Sequence, residues 1–417
     1  MPILALLASG ATGATRVSID ANRNLVVNGK TTFPLSVAVL PPPDGKTPAG
    51  RSAWQEFRDA GINFARIAPN DYWVKHTWDD AGFDVAAKYM DQFAGANLYA
   101  WMTLGEKLSY VKPDDQQAQD ELKKFIARFK DHPGLGAWKG ADEPLWGNMN
   151  THGKKPPSSI AVTYKMIHEL DPNHPVIAIQ APVGTAPELA KYAPYLDITG
   201  MDVFPIGYPP HVLKWPNKEI SAVGDFTKII VDGAEGKPVW MTLQVAYSGT
   251  IKPGKTLRFP TFAQERFMTY EAIIDGARGI NYFGGCADVS LNPRDKKLGY
   301  NWTFWERVLK PVLAEINENS PLHEALIAPN SKLPVKVDAK DVEFIVREVG
   351  DDIYILACKR EGETVNVTVK NLPPGVSSGE VMYEAPRKVE VKNGTFTDWF
   401  APFEVHVYHF KRPEKAQ

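Results

Sequence analysis

The feature that most limits what this 417-residue chain can become is a rhythm of short apolar runs separated by amphipathic stretches, from Phe33 to the helical segment Thr303–Asn319. Eight runs read as strands: Phe33–Val39, Phe64–Ile67, Leu98–Thr103, Leu135–Gly140, Val176–Gln180, Asp197–Asp202, Val239–Gln244 and Gly279–Gly284. The segments between them, such as "DVAAKYMDQFAGA" and "SSIAVTYKMIHELD", repeat apolar residues every three or four positions, and several end in glycine, as helices do. Strands alternating with helices imply parallel βαβ units, and eight such units predict an α/β fold of the (β/α)8 barrel type. A doubly wound open sheet has the same alternation, but no glycine-rich phosphate loop follows the first run, which counts against it.

Ahead of the barrel, "RVSIDANRNLVVNGK" predicts a short hairpin, with Asn28-Gly29 as its turn signal. Past residue 330 the texture changes. "VEFIVREVGDDIYILACKREGETVNVTVKNLP" alternates apolar and polar residues and is followed by "EVHVYHF", the pattern of a small antiparallel β-sandwich. The predicted organisation is a leader and hairpin over residues 1–29, a barrel over 30–322 and a sandwich over 330–412. The sandwich shows no cluster of titratable groups with a chemical look and is expected to be a packing module.

Charge and composition exclude several classes. Forty-seven Lys and Arg against 49 Asp and Glu give a net charge of -2 without a basic cluster, so no nucleic-acid partner is expected. After the N-terminus no run approaches the ~20 apolar residues of a membrane helix. Two cysteines, Cys286 and Cys358, fall in different predicted domains and make no disulfide framework. "MPILALLASGATGATR" has a short apolar core followed by small residues but no basic start, which predicts a secreted or periplasmic protein from a truncated export signal, with a cytoplasmic one as the alternative. His76, His132 and His168 lie apart, without the spacing of metal ligands, so neither metal nor other cofactor is expected. The absence of a Gly-x-Ser-x-Gly elbow argues against an α/β-hydrolase.

In a (β/α)8 barrel the reactive groups sit at the C-terminal ends of strands. That rule selects Arg66, Glu106, Asp142, Glu143, Asp202, Gln244, Tyr282 and Asp288, set among the aromatics Tyr72, Trp73, Trp101, Trp138, Trp146, Phe204, Trp240 and Trp302. Sugar rings stack their C–H faces on aromatic planes, and their hydroxyls need charged or amide partners. Glycosidic cleavage also needs a protonated carboxyl for the leaving oxygen and a second group at the anomeric centre. Asp142 beside Glu143 supplies a like charge that raises a carboxyl pKa. Structural roles compete at each position. Acids beside Pro144 suit a helix start, Asp202 suits a loop bond before Pro205, Gln244 suits buried neighbours, Arg66 suits an ion pair, Glu106 suits a solvated loop, and Trp101, Trp138 and Trp240 suit a core.

The segments "GINFARI", "GAWKGADEP", "DITGMDVFP" and "KPVWMTLQ", with the terminal "DWFAPFEVHVYHF", resemble the (β/α)8 glycoside hydrolases of clan A. The resemblance implies a carbohydrate substrate, with Glu143 as acid/base and Arg66 helping to hold the nucleophile; Trp101, Glu106, Trp138, Gln244 and Tyr282 are the further substrate-binding candidates. Two departures stand out. Asp142 replaces the usual Asn, and Gln244 occupies the place of the nucleophilic Glu, where an amide cannot form a glycosyl ester. Either Gln244 is a deliberate replacement of the nucleophile, or it is natural and one of two mechanisms follows: Asp142 orients a 2-acetamido group for internal attack while Glu143 is the acid, or Asp202 activates water for inversion across the ~6.5–9.5 Å carboxyl separation such enzymes use. A non-catalytic carbohydrate-binding protein on a glycosidase scaffold is the competing class.

Overall fold

The computed structural model describes residues 13–69, 78–146, 153–206, 215–245, 259–284 and 292–413. Tyr72, Trp73, His76, Cys286 and Asp288 lie outside the described residues. Eight parallel strands close into a barrel in chain order: Leu35–Ala38, Phe64–Ile67, Tyr99–Thr103, Leu135–Asp142, Val176–Gln180, Ile198–Val203, Trp240–Gln244 and Gly279–Phe283. The eighth returns to pair with the first, Ile280 opposite Leu35. These strands read as continuous apolar runs because both faces are covered, one by the barrel interior and one by the helices.

The two faces are distinct. Phe64, Trp101, Ala137, Ile177, Ile179, Ile198 and Trp240 point inward and form one cluster. Met102, Trp138, Met201, Leu243 and Tyr282 belong to the larger core between strands and helices. Inside, Phe64 meets Trp240 edge-on at 5.3 Å. Gly279 makes room for that indole, since a Cβ there would fall 2.8 Å from it. Truncating an interior ring such as Phe64 costs about 3–5 kcal/mol.

The N-terminal segment is a three-stranded antiparallel sheet, Val17–Ile19, Leu25–Val27 and Lys30–Thr32, one strand more than the predicted hairpin. Asn28 and Gly29 both take positive φ, 51° and 84°, as a tight hairpin turn of the primed kind requires. Val17, Leu25 and Val27 join the interior cluster, and Val17 N–H donates to the Asn173 carbonyl at 2.9 Å. The segment therefore plugs the N-terminal end of the barrel instead of standing apart from it.

Helices carry explicit boundary chemistry. The helix Asp80–Ala96 starts on Asp79, whose side chain accepts from Gly82 N–H, and stops at Asn97 in the left-handed region. The C-terminal part is a sandwich of a three-stranded and a five-stranded antiparallel sheet. Its own core includes Val367, Phe396 and Phe410. Its outer face, through Tyr354, Leu356, Cys358 and Val407, merges with the barrel core. The helix Phe262–Ile274 is caught between the two, so even Glu265, Arg266 and Glu271 are buried along it. Arg266 pairs with Glu315 at 2.9 Å and donates to the Val405 carbonyl at 2.8 Å. No described helix is long and apolar enough to cross a membrane.

Candidate active site

The fourth strand builds the centre of the site. It pairs with the fifth so that Lys139 lies opposite Ile177 but Asp142 opposite Ile179, three residues against two. Residues three apart on a regular strand face opposite ways; the extra residue of a bulge puts them on the same side. Lys139 Nζ accordingly reaches Asp142 Oδ1 at 2.5 Å. Burial lowers the Lys139 ammonium to about 8, with Asp142 opposing the shift and the Arg66 charge adding to it.

Immediately after Asp142, Glu143 adopts a left-handed backbone, φ 47°, a costly conformation for a residue with a Cβ and one that concentrates at functional sites. Its N–H is anchored on the Ile179 carbonyl at 2.7 Å, and its own carbonyl accepts from Trp146 N–H at 3.1 Å. Leu145 N–H is held by Gln180 Oε1 at 3.3 Å. This turn, closed by Pro144, aims the Glu143 carboxyl across the barrel mouth toward the sixth strand.

There it meets Asp202, within hydrogen-bonding reach. Asp202 Oδ1 is buried without a hydrogen-bond donor, and a proton shared with the Glu143 carboxyl satisfies it. Burial, then the Asp202 charge, then Asp142 push the Glu143 carboxyl far above the carboxylate range. Asp202 is also raised, first by burial and then by Asp142. Two carboxyls in contact cannot both ionise at neutral pH.

Arg66 lies beside this group: its Nε donates to Thr103 Oγ1 at 3.2 Å, and its guanidinium sits 5.9 Å from the Trp101 ring centre. The other sequence candidates go elsewhere. Trp101 is 1% exposed, donates from Nε1 to Ser36 Oγ at 2.9 Å and packs edge-on against Trp240; it fills the barrel beneath Arg66, where no sugar can stack. Trp138 faces the helix layer, donating to Asp171 Oδ2 at 2.7 Å and packing on Phe125. Tyr282 does the same on the eighth strand, with its hydroxyl 3.1 Å from Thr269 Oγ1. Alternation along the strand turns both away from the barrel axis. Glu106 opens the short helix Glu106–Ser109.

Gln244 is fully buried, and its carboxamide pairs with the backbone of Ile206: Nε2 donates to the carbonyl at 2.7 Å and Oε1 accepts from the N–H at 2.8 Å. The structure thus brings Asp142, Glu143, Asp202 and Arg66 together and adds Lys139 and Gln180. The sequence signal for Lys139 is a charge inside an otherwise apolar strand, and for Gln180 an amide closing one.

No family model matches the chain, and no curated protein matches it in sequence. Similarity to solved structures is extensive but remote. A protein described as a glycoside hydrolase is 14% identical with a TM-score of 0.63, covering 96% of this chain and 98% of that one. A glycoside hydrolase family 5 protein from Bacteroides vulgatus ATCC 8482 is 12% identical with a TM-score of 0.58, covering 96% and 93%. An α-amylase from Geobacillus thermoleovorans, solved with acarbose, is 10% identical with a TM-score of 0.53, covering 92% and 99%. What the chain shares with these glycoside hydrolases is the fold, a (β/α)8 barrel carrying a C-terminal β-sandwich.

Proposed function

We propose that the protein is a glycoside hydrolase that cuts O-glycosidic bonds in an oligo- or polysaccharide, with Glu143 as general acid. The observation that carries this reading is the pairing of the half-buried Glu143 and Asp202 carboxyls at the C-terminal mouth of the barrel. A carboxyl held protonated at neutral pH is what departure of a sugar oxygen requires. As the glycosidic C–O bond breaks, the proton held by the pair passes from Glu143 to the leaving oxygen, and the second negative charge this leaves on the pair forms as positive charge develops at the anomeric carbon. Asp142, paired with Lys139, orients a substrate 2-acetamido group for attack on the anomeric carbon. Likeness to solved glycoside hydrolases supports the fold side of this reading; Trp146, 47% exposed beside the acid, offers a face for a sugar ring.

A second reading, a non-catalytic carbohydrate-binding protein, is favoured by one observation: the amide of Gln244 at the end of the seventh strand is consumed by the Ile206 backbone. A panel of aryl glycosides, including 2-acetamido sugars, and of polysaccharides separates the two when cleavage and binding are measured together. Cleavage that disappears in Glu143→Gln supports the enzyme. Binding without cleavage supports the second reading, and a panel neither cut nor bound sinks both.

A further inference from the structure

We infer that Gln244 is a positioning residue, an amide clamp that ties the chain leaving the sixth barrel strand to the end of the seventh, and that this position requires an amide instead of merely lacking a carboxylate. The sixth and seventh strands pair at their ends through Thr242 with Asp202 and Leu243 with Val203. Beyond Val203 the sixth strand ends, and the chain passes Phe204, stacked on Phe283 at 5.4 Å, and Pro205 before reaching Ile206. There the Gln244 side chain supplies the donor and the acceptor that a neighbouring strand would supply, at 2.7 and 2.8 Å. Gln244 is 0% and Ile206 5% exposed, so water is a poor substitute for either bond.

The residue type follows from the bonding inventory. A carboxamide donates and accepts; an ionised carboxylate only accepts and would face the Ile206 carbonyl with a negative oxygen in a buried place. A protonated carboxyl alone reproduces the pattern. Asp202 sits four residues before Ile206 and pairs with Thr242, two residues before Gln244, so the clamp fixes the carboxyl that contacts Glu143. The clamp stands on geometry; its effect on Glu143 rests on the reading of Glu143 as acid, and the two are measured separately.

The test uses the whole chain with Gln244→Glu and with Gln244→Met, which is similar in size and makes neither bond. Gln244→Met is expected to melt roughly 5 °C below the parent at every pH. Gln244→Glu is expected to melt with the parent near pH 4, about the unfolded value of a carboxyl, and to fall increasingly below it toward pH 7. The sign follows because the buried site favours the protonated carboxyl: the shared stability is present below the unfolded pKa and is lost as pH rises toward the raised folded value. At pH 7 the Ile206 amide is expected to exchange about 10-fold faster or more in both variants. With a substrate that the parent cuts, kcat of Gln244→Glu is expected to recover toward the parent in acid, a return that Gln244→Met does not show. Parent-like melting and Ile206 exchange for Gln244→Glu at pH 7 overturn the clamp, and a gain of hydrolysis in that variant marks the position as a vacated nucleophile. If the parent cuts nothing, the proposed hydrolysis fails while melting and exchange still decide the clamp.

Discussion

Two clusters of carboxylates, most of them half-buried, invite comparison. One lies at the barrel mouth: Asp142, Glu143 and Asp202, with Lys139 and Arg66. The other lies between barrel and sandwich, where carboxylate oxygens of Glu271, Asp275 and Glu343 fall within 4.8 Å of one another, with Lys228 and Arg360. In both, burial is the first cause of raised carboxyls: Asp275 reaches about 8 and Glu271 rises well above its ordinary range. The surroundings differ. At the interface the cations close the cluster, Lys228 reaching Asp275 at 3.4 Å and also Glu343, and Arg360 reaching Glu343 at 3.1 Å and Asp225 at 2.8 Å. Gly224 packs against it so tightly that a Cβ would lie 2.5 Å from Asp275 Oδ2. At the mouth Glu143 sits on a left-handed turn after a bulged strand, where barrel strands end and substrates reach. A raised carboxyl therefore reports burial among like charges, and backbone placement separates a reactive group from a packed one.

The comparison breaks most sharply under Glu143→Gln, which is expected to lower kcat/KM by about 10²–10⁴-fold while leaving the melting temperature within a few degrees of the parent; steady-state kinetics on the best substrate and calorimetry check it. Next come the lysines. Lys139→Met strands Asp142 and is expected to cost roughly 3 kcal/mol in urea unfolding, whereas Lys228→Met, at a side chain 45% exposed, is expected to cost less than about 1 kcal/mol. Equal costs would erase the distinction between the clusters. Asp202→Asn removes the like charge that helps raise Glu143, so the acid loses its proton at lower pH. The alkaline limb of the rate profile is expected to move down by about one pH unit, with little change near pH 5. The smallest effect is expected for Asp275→Asn. In the parent, the raised Asp275 means stability present below its unfolded pKa near 4 and lost as pH rises toward about 8; the variant escapes that loss and gains about 1 kcal/mol relative to the parent at pH 8, read from unfolding curves at pH 5 and 8.

Legibility in the sequence followed the physics of each element. All eight strands were readable because parallel strands covered on both faces leave unbroken apolar runs such as "VIAIQ" and "VWMTLQ". Which face each side chain takes was not: Trp101 and Trp138 both sit in apolar strands, yet one fills the barrel and the other meets Asp171 in the helix layer. Glu343, in a sandwich expected to carry no titratable cluster, joins two barrel carboxylates, because it took packing of two units to bring together residues more than sixty positions apart.

By itself the sequence determined the eight-unit rhythm, the change of texture near residue 330 and the place of Glu143 just after the fourth strand, all consequences of local periodicity and chain order. Tertiary structure alone decided that a bulge turns Lys139 onto Asp142, that Asp202 closes on Glu143 and that Gln244 holds Ile206. Each of these depends on the register and facing of neighbouring strands, which barrel closure sets and local sequence pattern does not encode.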